Sequence, residues 1–354
     1  MSTPTTPEAR LYAAGAKKSG LAWGVETELG AGNEIKLLKS PNLPQARKQD
    51  YLMLKESNNT FLSRGIAGGV SACDFTFEAY MRYDAGPLGE FIAEGFGTAG
   101  GPSTVETGVY LHTFQWAQSS LGLFSTYAEE YPGKIYSVPS AKPMKIVFSL
   151  QDGIVKIAPT LRGSSIINNS TVNEAAEMDV LSMVNAEDEI RFDQCDEFWL
   201  AEYPHPDALS ATEQKTISGL EITYGRGLET PKMTAGATAL TETQEEDFSD
   251  LRLKIDFPYD DSFNREFFSH YIDGTCYSLI IRFKGALLGA TKYYEWTLYW
   301  PKVRLAALPD LTKEGLVKVT AEFQAVEAAT APTGFTYTIP YMTLQNARST
   351  DYLA

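Results

Sequence analysis

Histidine and cysteine, the residue types that most often carry chemistry in proteins, are rare and scattered in this 354-residue sequence. The three histidines are His112, His205 and His270, and no two of them stand at the HxxxH or HExxH spacing of a metal-binding helix. The three cysteines are far apart and form no CxxC pair, which favours buried free thiols over a disulfide scaffold. The spacing therefore predicts no catalytic centre built on these residues.

Acidic and glycine-rich stretches approach known site patterns without completing one. Asp256, Asp260 and Asp261 lie near one another, but the spacing of a calcium-binding EF-hand loop is absent. Asp260 and Asp261 also have a simpler use as helix caps. Residues 95–100 read GFGTAG, yet a helical pattern precedes them, whereas a phosphate-binding loop needs a strand before it and a helix after it. The sequence predicts no catalytic residue, no cofactor and no metal ligand.

Charge and hydropathy argue against further classes of protein. The sequence carries 30 basic and 45 acidic residues, a formal net charge of −15. Tight binding of nucleic acid by the general surface needs Lys and Arg, so this balance argues against it. No apolar run reaches the roughly 18 residues of a membrane-spanning helix, and residues 1–10 lack the pattern of a signal peptide. We expect no membrane segment and a protein that is soluble and cytosolic at synthesis.

Alternating apolar residues predict that β-strands build the fold. The clearest case is residues 143–163, where two alternating runs flank Asp152-Gly153. Because Asp and Gly tolerate the positive φ of a type I′ turn, this stretch predicts a β-hairpin. The apolar members of its first run are Met144, Ile146, Phe148 and Leu150.

The second half of the sequence repeats the order of the first. Cys73–Phe96 matches Leu251–Ile272, an alternating strand followed by a short helix, and Met144–Leu161 matches Val303–Phe323. An offset of roughly 160–180 residues is too long for a solenoid and indicates duplicated domains. We therefore predict a mainly β protein of two domains. The predicted boundaries are a flexible N-terminal arm over 1–20, a first domain over 21–178, an acidic linker over 179–190 and a second domain over 191–354.

Three stretches resemble the tail tube proteins of long-tailed bacteriophages. They are Leu21–Gly32 (LAWGVETELGAG), Gly108–Tyr127 (GVYLHTFQWAQSSLGLFSTY) and Pro143–Ile167. The second-half hairpin resembles the closing element of the same family, whereas the acidic stretch Glu174–Glu189 departs from its pattern. The resemblance implies two tail-tube-like β-sandwich or half-barrel domains, each with a short flanking α-helix.

The resemblance also implies a function and partners. Tail tube proteins are structural virion proteins whose rings stack into the hollow tail tube, and phage DNA passes through the lumen during ejection without specific binding. Such a protein is made in the host bacterial cytoplasm and, in the virion tail, meets the tail terminator, tape measure and distal tail proteins. Single-domain members form hexameric rings. Two domains per chain therefore imply a homotrimeric, pseudo-hexameric ring, with a homohexamer as the alternative.

Two groups of residues are expected to serve assembly. Long polar loops over about Ser40–Val70 and Gly225–Asp250 are expected to reach neighbouring subunits or the ring below. The predicted oligomer-interface residues in the first loop are Arg47, Lys48, Phe61, Leu62 and Arg64. The hairpin residues predicted to face outward or toward the lumen are Lys145, Ser149 and Lys156. An acidic lumen would repel phosphate and let DNA slide.

Two functions of other classes stay open as alternatives. An all-β enzyme, a hydrolase or lyase, would use Asp256, Asp260, His270 or the acidic stretch between the halves. A receptor- or glycan-binding adhesin would use surface Tyr and Trp side chains. The tryptophans in predicted strands have core packing as their expected role, and no convergent catalytic set is visible. The sequence therefore favours a structural protein over an enzyme.

Overall fold

A computed structural model describes residues 13–41, 43, 49–54, 64–70, 73–98, 101–131, 133–182, 188–229, 240–259, 262–312 and 317–354. The prediction of a mainly β protein is confirmed, since 50% of the residues lie in strands and 11% in helices. In the described part of the chain, none of the helices combines the length and the apolar character needed to cross a lipid bilayer.

The strands and helices have the following bounds. The first-half strands are β1 (Ala13–Lys18), β2 (Leu37–Lys39), β3 (Gln49–Leu54), β4 (Arg64–Val70), β5 (Cys73–Thr76), β6 (Glu78–Tyr80), β7 (Ser103–Glu106), β8 (Val109–Gln115), β9 (Ser125–Tyr131), β10 (Lys134–Gln151), β11 (Ile154–Gly163) and β12 (Ile167–Asn168). The second-half strands are β13 (Cys195–Tyr203), β14 (Gly219–Leu228), β15 (Glu245–Pro258), β16 (Cys276–Leu287), β17 (Tyr293–Leu305), β18 (Asp310–Thr312), β19 (Lys318–Ala325) and β20 (Tyr341–Asn346). The α-helices are α1 (Gly86–Phe96), α2 (Ala175–Asp179) and α3 (Ser262–Asp273).

The two halves repeat one strand order. In the first half, antiparallel pairing runs β1, β9, β10, β11, then β5 with β6, then β2. In the second half it runs β13, β16, β17, β19, β15, β14. Along the chain, the first set comes in the order β1, β2, β5 with β6, β9, β10, β11, and the second set in the matching order β13, β14, β15, β16, β17, β19. Helix α1 follows β6, and α3 follows β15. The division into two duplicated domains stays a prediction.

Each set of strands closes on itself through a short bridge. Gly15 in β1 bridges Glu34, just before β2, and Trp199 in β13 bridges Gln214, just before β14. The bridge joins the two ends of the strand order in each half. Closure of a sheet leaves few free edges, and free edges are what make long amphipathic strands prone to aggregate.

Helices α1 and α3 occupy equivalent places over equivalent aromatic clusters. Phe91 of α1 lies 5.7 Å from Phe77, and Phe77 stacks on Tyr127 of β9 at 5.6 Å between ring centroids. The second half repeats the cluster with Phe257, Phe267 and Tyr277. Phe267 of α3 lies 5.2 Å and 5.8 Å from the other two rings. All six side chains are buried, so the same apolar contact fixes the helix to the strands in both halves.

The predicted hairpin around Asp152-Gly153 is confirmed. Strands β10 and β11 pair from Ala141–Gly163 to Gln151–Ile154, and the two turn residues have positive φ angles of 52° and 79°. Ile146 and Phe148 are buried, while Met144 and Leu150 are half-buried. The counterpart in the second half is interrupted, because β17 ends at Leu305 and the strand resumes as β18 at Asp310.

The two halves share one hydrophobic core. Strand β10 pairs with β14, and β8 pairs with β20, so sheets cross the boundary between the halves. The buried cluster includes side chains from both halves. The end of the sequence also returns to the first half: Asn346, the last residue of β20, donates to the Tyr83 carbonyl at 3.0 Å, and Tyr352 is buried against α1 at Gly89.

Two predicted boundary segments contribute to the sheet. Residues 13–18 fall in the expected flexible arm, but they form β1, because Ala13, Ala14 and Ala16 are small enough to pack in the core beside β9. In the expected linker, the backbone of Ile190 bonds to Met81 and Val155, and its side chain is buried. The predicted division at 179–190 therefore separates two strand sets that share a core.

Candidate assembly site

The joint between the halves is a strand pairing that runs through the sheet. Residues Lys145–Ser149 of β10 pair antiparallel with Glu221–Gly225 of β14. Beneath the pairing, Phe148 and Tyr224 contact each other edge to face at 6.1 Å between ring centroids. We call this pairing, with the contacts around it, the covered joint, because it covers the edge of β10 that would otherwise be open.

The outward face of the covered joint is polar and mixed in charge. Lys145 is exposed, Ser149 and Lys156 are half-buried, and Lys156 forms an ion pair with Glu78 at 3.1 Å. A shallow cavity of about 280 Å³ on this face is lined by Lys145, Glu221, Thr223, Asp250, Arg252, Lys254 and Glu322. Acidic and basic side chains interleave there, so the face carries no concentrated charge of one sign.

Arg226 of β14 anchors the second half to α1. Its guanidinium donates to the carbonyls of Gly95 at 2.6 Å and Ala117 at 3.1 Å, and lies 4.4 Å from the ring centroid of Trp116. It also pairs with Glu245 at 3.1 Å. Burial lowers the pKa of Arg226 to about 10, and the neighbouring Glu245 partly offsets this. Removing a buried, paired arginine lowers the stability of the fold, because its partners are left buried without a counter-charge or donor.

Lys142 of β10 makes a second buried anchor. The side chain is fully buried, and its ammonium donates to the Glu242 carboxylate and to the Thr243 carbonyl, both at 2.9 Å. Glu242 also accepts from the backbone N–H of Gly122 at 2.7 Å. These contacts fall inside Gly225–Asp250, the loop expected to reach neighbouring subunits. Its described part instead contacts the first half of the same chain.

Matching hydrogen bonds align the two hairpins residue by residue. The hydroxyls of Thr76 and Thr160 are 2.9 Å apart, and at the same register Thr320 donates to Asp256 at 2.6 Å. Lys145 lies opposite Thr160, and Asp310 lies opposite Thr320. Strand β18 is therefore the counterpart of the part of β10 that pairs with β14.

The counterpart of the covered joint is open in the second half. Phe91 and Phe267 are each the sixth residue of their helix, so Phe96 and Ile272, the eleventh residues, correspond. Phe96 is 0% exposed, whereas Ile272 is 79% exposed. Two residues before the aligned pair, Pro143 is buried and Leu308 is 56% exposed. Within the described residues, the strand register of β18 is with β19, and its other edge has no register partner. We call this region the open joint.

A cavity of about 630 Å³ lies at the open joint. Its lining residues are Arg252, His270, Tyr271, Ile272, Gly274, Thr275, Arg304, Leu305, Ala306, Ala307, Glu322 and Gln324. It combines the end of α3 with the break between β17 and β18. In the first half, the corresponding end of α1 contacts Tyr224 through Phe96, with ring centroids 4.7 Å apart.

The residues predicted from sequence for the subunit interface lie outside this geometry. Four of them, Arg47, Lys48, Phe61 and Leu62, fall outside the described residues. The fifth, Arg64, lies in β4, and its side chain is outside the described part. Their assignment stays a prediction. The sequence reasoning did not single out Lys142, Arg226 or Phe96, because each is defined by a partner that lies more than 90 residues away or on another element.

The residues considered for catalysis are dispersed. Asp256 accepts from Thr320 within the sheet, and His112 is buried with Nε2 at 2.9 Å from the Arg348 carbonyl. His205 lies 3.9 Å from a single carboxylate, that of Glu213. Asp260 and Asp261 lie outside the described residues. The described His, Cys, Asp and Glu side chains do form one group with metal-ligand spacing, made by Glu202, Glu266 and His270.

Comparison with known proteins adds no relative: no protein-family model and no curated protein sequence matches this chain.

Proposed function

We propose that this protein is a structural subunit of a phage-type tail tube, whose chains join through their open joints into rings that stack around a lumen. The observation that carries the proposal is the repeated strand set, in which one copy has its hairpin edge covered and the other has it open. The sequence resemblance to tail tube proteins supports the same assignment.

The covered joint supplies the geometry for a contact between chains. Within one chain, the β14 side of the second half sits on the β10 edge of the first half. If the next chain places the β2 side of its first half on β18, the relation between halves repeats from chain to chain. A repeated head-to-tail contact produces a ring when its rotation closes. Three chains then supply six strand sets, which makes a homotrimer with pseudo-sixfold symmetry; a homohexamer is the alternative.

The polar face of the covered joint suits a wall along which DNA slides. Lys145, Arg252 and Lys254 interleave with Glu221, Asp250 and Glu322. Concentrated cationic surface binds phosphate by releasing counterions, and neutralising partners in the same face reduce that binding. The formal charge of −15 for the whole chain adds long-range repulsion of DNA. In this proposal DNA passes through without specific contacts.

Electron microscopy of the purified, concentrated protein tests the proposal. We expect rings and stacked tubes with threefold symmetry and six similar densities per ring. The double variant Ile272→Asp, Leu308→Asp should stay a folded monomer, because both side chains are exposed in the single chain and would carry charge into the chain-to-chain contact. Leu287→Asp is the matched control, because Leu287 is 56% exposed, the same as Leu308, but lies outside the open joint.

Three outcomes would count against this proposal. A monodisperse monomer at every concentration would remove the tube function. Rings with true sixfold symmetry and one strand set at the lumen would replace the trimer with the homohexamer. Rings that persist in the double variant would place the contact elsewhere.

A further inference from the structure

We propose that Glu202, Glu266 and His270 form a binding site for a zinc-class divalent cation on the second half. The proposal does not rest on the tube function, although His270 also lines the cavity at the open joint. The three ligand atoms, one from each side chain, all lie within 4.8 Å of one another. Two elements bring them together: Glu266 and His270 stand one turn apart on α3, and Glu202 comes from β13.

The distances suit a cation between the side chains better than direct hydrogen bonds. His270 Nε2 lies 3.6 Å from Glu202 Oε1 and 3.8 Å from Glu266 Oε2. Both exceed the 2.7–3.2 Å range typical of N–H···O bonds. Tetrahedral ligands at about 2.0–2.1 Å from Zn²⁺ stand roughly 3.3–3.4 Å apart. The two carboxylate oxygens therefore stand within about 0.5 Å of zinc-ligand spacing from His270 Nε2. The ligand atoms all lie within 4.8 Å of one another, and rotation of the exposed Glu202 and Glu266 side chains can close the remaining gap between the carboxylates.

The histidine is held in the orientation that a metal needs. Its Nδ1 lies 2.6 Å from the hydroxyl oxygen of Tyr277. When Nδ1–H donates to that oxygen, Nε2 keeps a free lone pair directed at the carboxylates, an arrangement common around metal-ligating histidines. Tyr277 is fully buried between Phe267 and Phe323, so the support is rigid. Glu202 and Tyr277 are register partners in β13 and β16, which ties the strand ligand to the same support.

The ligand types point to one class of metal. A neutral imidazole with two carboxylates carries two negative charges, which balance a divalent cation. Imidazole suits zinc, copper, iron and nickel, whereas magnesium and calcium prefer sites made entirely of oxygen. Glu202 and Glu266 are more than half exposed, with side-chain exposures of 56% and 57%, so water can complete the coordination.

Calorimetric titration of ZnCl₂ into the tag-free, EDTA-treated full chain tests the site. We expect one zinc ion per chain. His270→Gln should weaken binding by at least about tenfold, and Glu202→Gln or Glu266→Gln should each weaken it, since even outer-shell partners contribute about 10–100-fold to metal affinity. His205→Gln is the matched control and should leave the affinity unchanged, because His205 faces a single carboxylate at 3.9 Å.

A second readout separates a metal site from an ordinary ion pair. Co²⁺ in place of zinc should give the visible absorption of a low-coordinate site in the parent chain and in His205→Gln, but not in His270→Gln. Circular dichroism of each variant checks that it is folded. Absence of stoichiometric zinc binding, or equal binding by His270→Gln, would overturn the proposal and leave a histidine–glutamate ion pair in its place. Rings seen without zinc would leave the tube proposal intact in either case.

Discussion

Helices α1 and α3 hold the same place in two copies of one strand set, yet their surroundings differ. All residues of α1 from Pro87 to Phe96 are buried, including Glu90 and Glu94. On α3, Ile272 is 79% exposed and Tyr271 is 40% exposed. The first-half helix is covered by residues of the second half and by the segment after β20. The second-half helix has no such cover among the described residues.

The two halves therefore differ at their joints. At the covered joint β10 pairs with β14 of the other half, whereas the open joint has no such pairing among the described residues. Matching positions differ in exposure. Phe96 is buried against Tyr224 of the second half and Pro143 is buried near Gly95, whereas Ile272 and Leu308 are exposed. Apolar exposure at the position of a buried counterpart fits a surface that another chain covers. If the tube proposal holds, substitutions at matching positions separate the stability of the chain from the proposed assembly.

The largest expected effect comes from truncating the covered aromatic. Phe96→Ala should lower the free energy of unfolding by about 3–5 kcal/mol, because it removes a fully buried ring that contacts Trp116 and Tyr224. Ile272→Ala should change it by less than about 0.5 kcal/mol, as expected for an exposed side chain. Urea unfolding followed by tryptophan fluorescence measures both. Equal losses in the two variants would contradict the assignment of Ile272 to an open surface.

A second test removes the charged anchor of the covered joint. Arg226→Ala should cost about 3 kcal/mol, since it leaves Glu245 and the carbonyls of Gly95 and Ala117 without their buried partner. Arg252→Ala is the control: its ion pairs with Asp250 and Glu322 are solvent-exposed and should be worth less than about 1 kcal/mol. Thermal unfolding compares them. A small effect for Arg226 would mean that strand pairing alone holds the halves together.

An effect that is smaller for each pH unit, and that accumulates as the pH rises, is expected from a buried carboxyl of the first half. Burial raises the pKa of Glu129 to about 8, and its side chain accepts from Tyr127 at 3.1 Å. The folded state therefore holds a proton that the unfolded chain releases near pH 4.3. The associated stability is fully present below that value and is lost as the pH rises toward 8, by up to about 1.4 kcal/mol per pH unit.

Glu129→Gln should flatten this loss. Its thermal midpoint should rise relative to the parent chain between pH 5 and pH 8, because the neutral amide needs no proton. Glu327→Gln, an exposed glutamate of the second half, serves as the control and should follow the parent chain at every pH. If Glu129→Gln and the parent chain keep parallel profiles, then Glu129 is ionised in the folded protein.

The sequence contains the local part of this structure and lacks the long-range part. Asp152-Gly153 specifies the turn by itself, and the apolar alternation of Ile146 and Phe148 assigns their face. The burial of Lys142 has no local signal, because its acceptors at Glu242 and Thr243 are about 100 residues away. Ile190 stands alone in an acidic stretch, so its packing between Met81 and Val155 leaves no periodic pattern.

The metal-ligand group was missed for a related reason. Glu266 and His270 stand four residues apart, which sequence can show, but the third ligand, Glu202, comes from a strand about 64 residues earlier. Metal-binding sequence motifs contain a second histidine or an acidic residue at a fixed short spacing. A site whose third ligand is a distant glutamate matches no such motif. The pairing of β13 with β16 supplies the missing information.

The end of the sequence, from Asn346 at the end of β20 onward, has a consequence for biosynthesis. Tyr352 fills the space beside Gly89 on α1, and Asn346 binds the carbonyl of Tyr83, so the first half contains side chains that the ribosome adds some 250 residues later. A nascent first half has its strands and helix available but lacks this contribution to its core. Domains usually fold in the order of synthesis; here the core of the earlier unit is complete only when the later residues have been added.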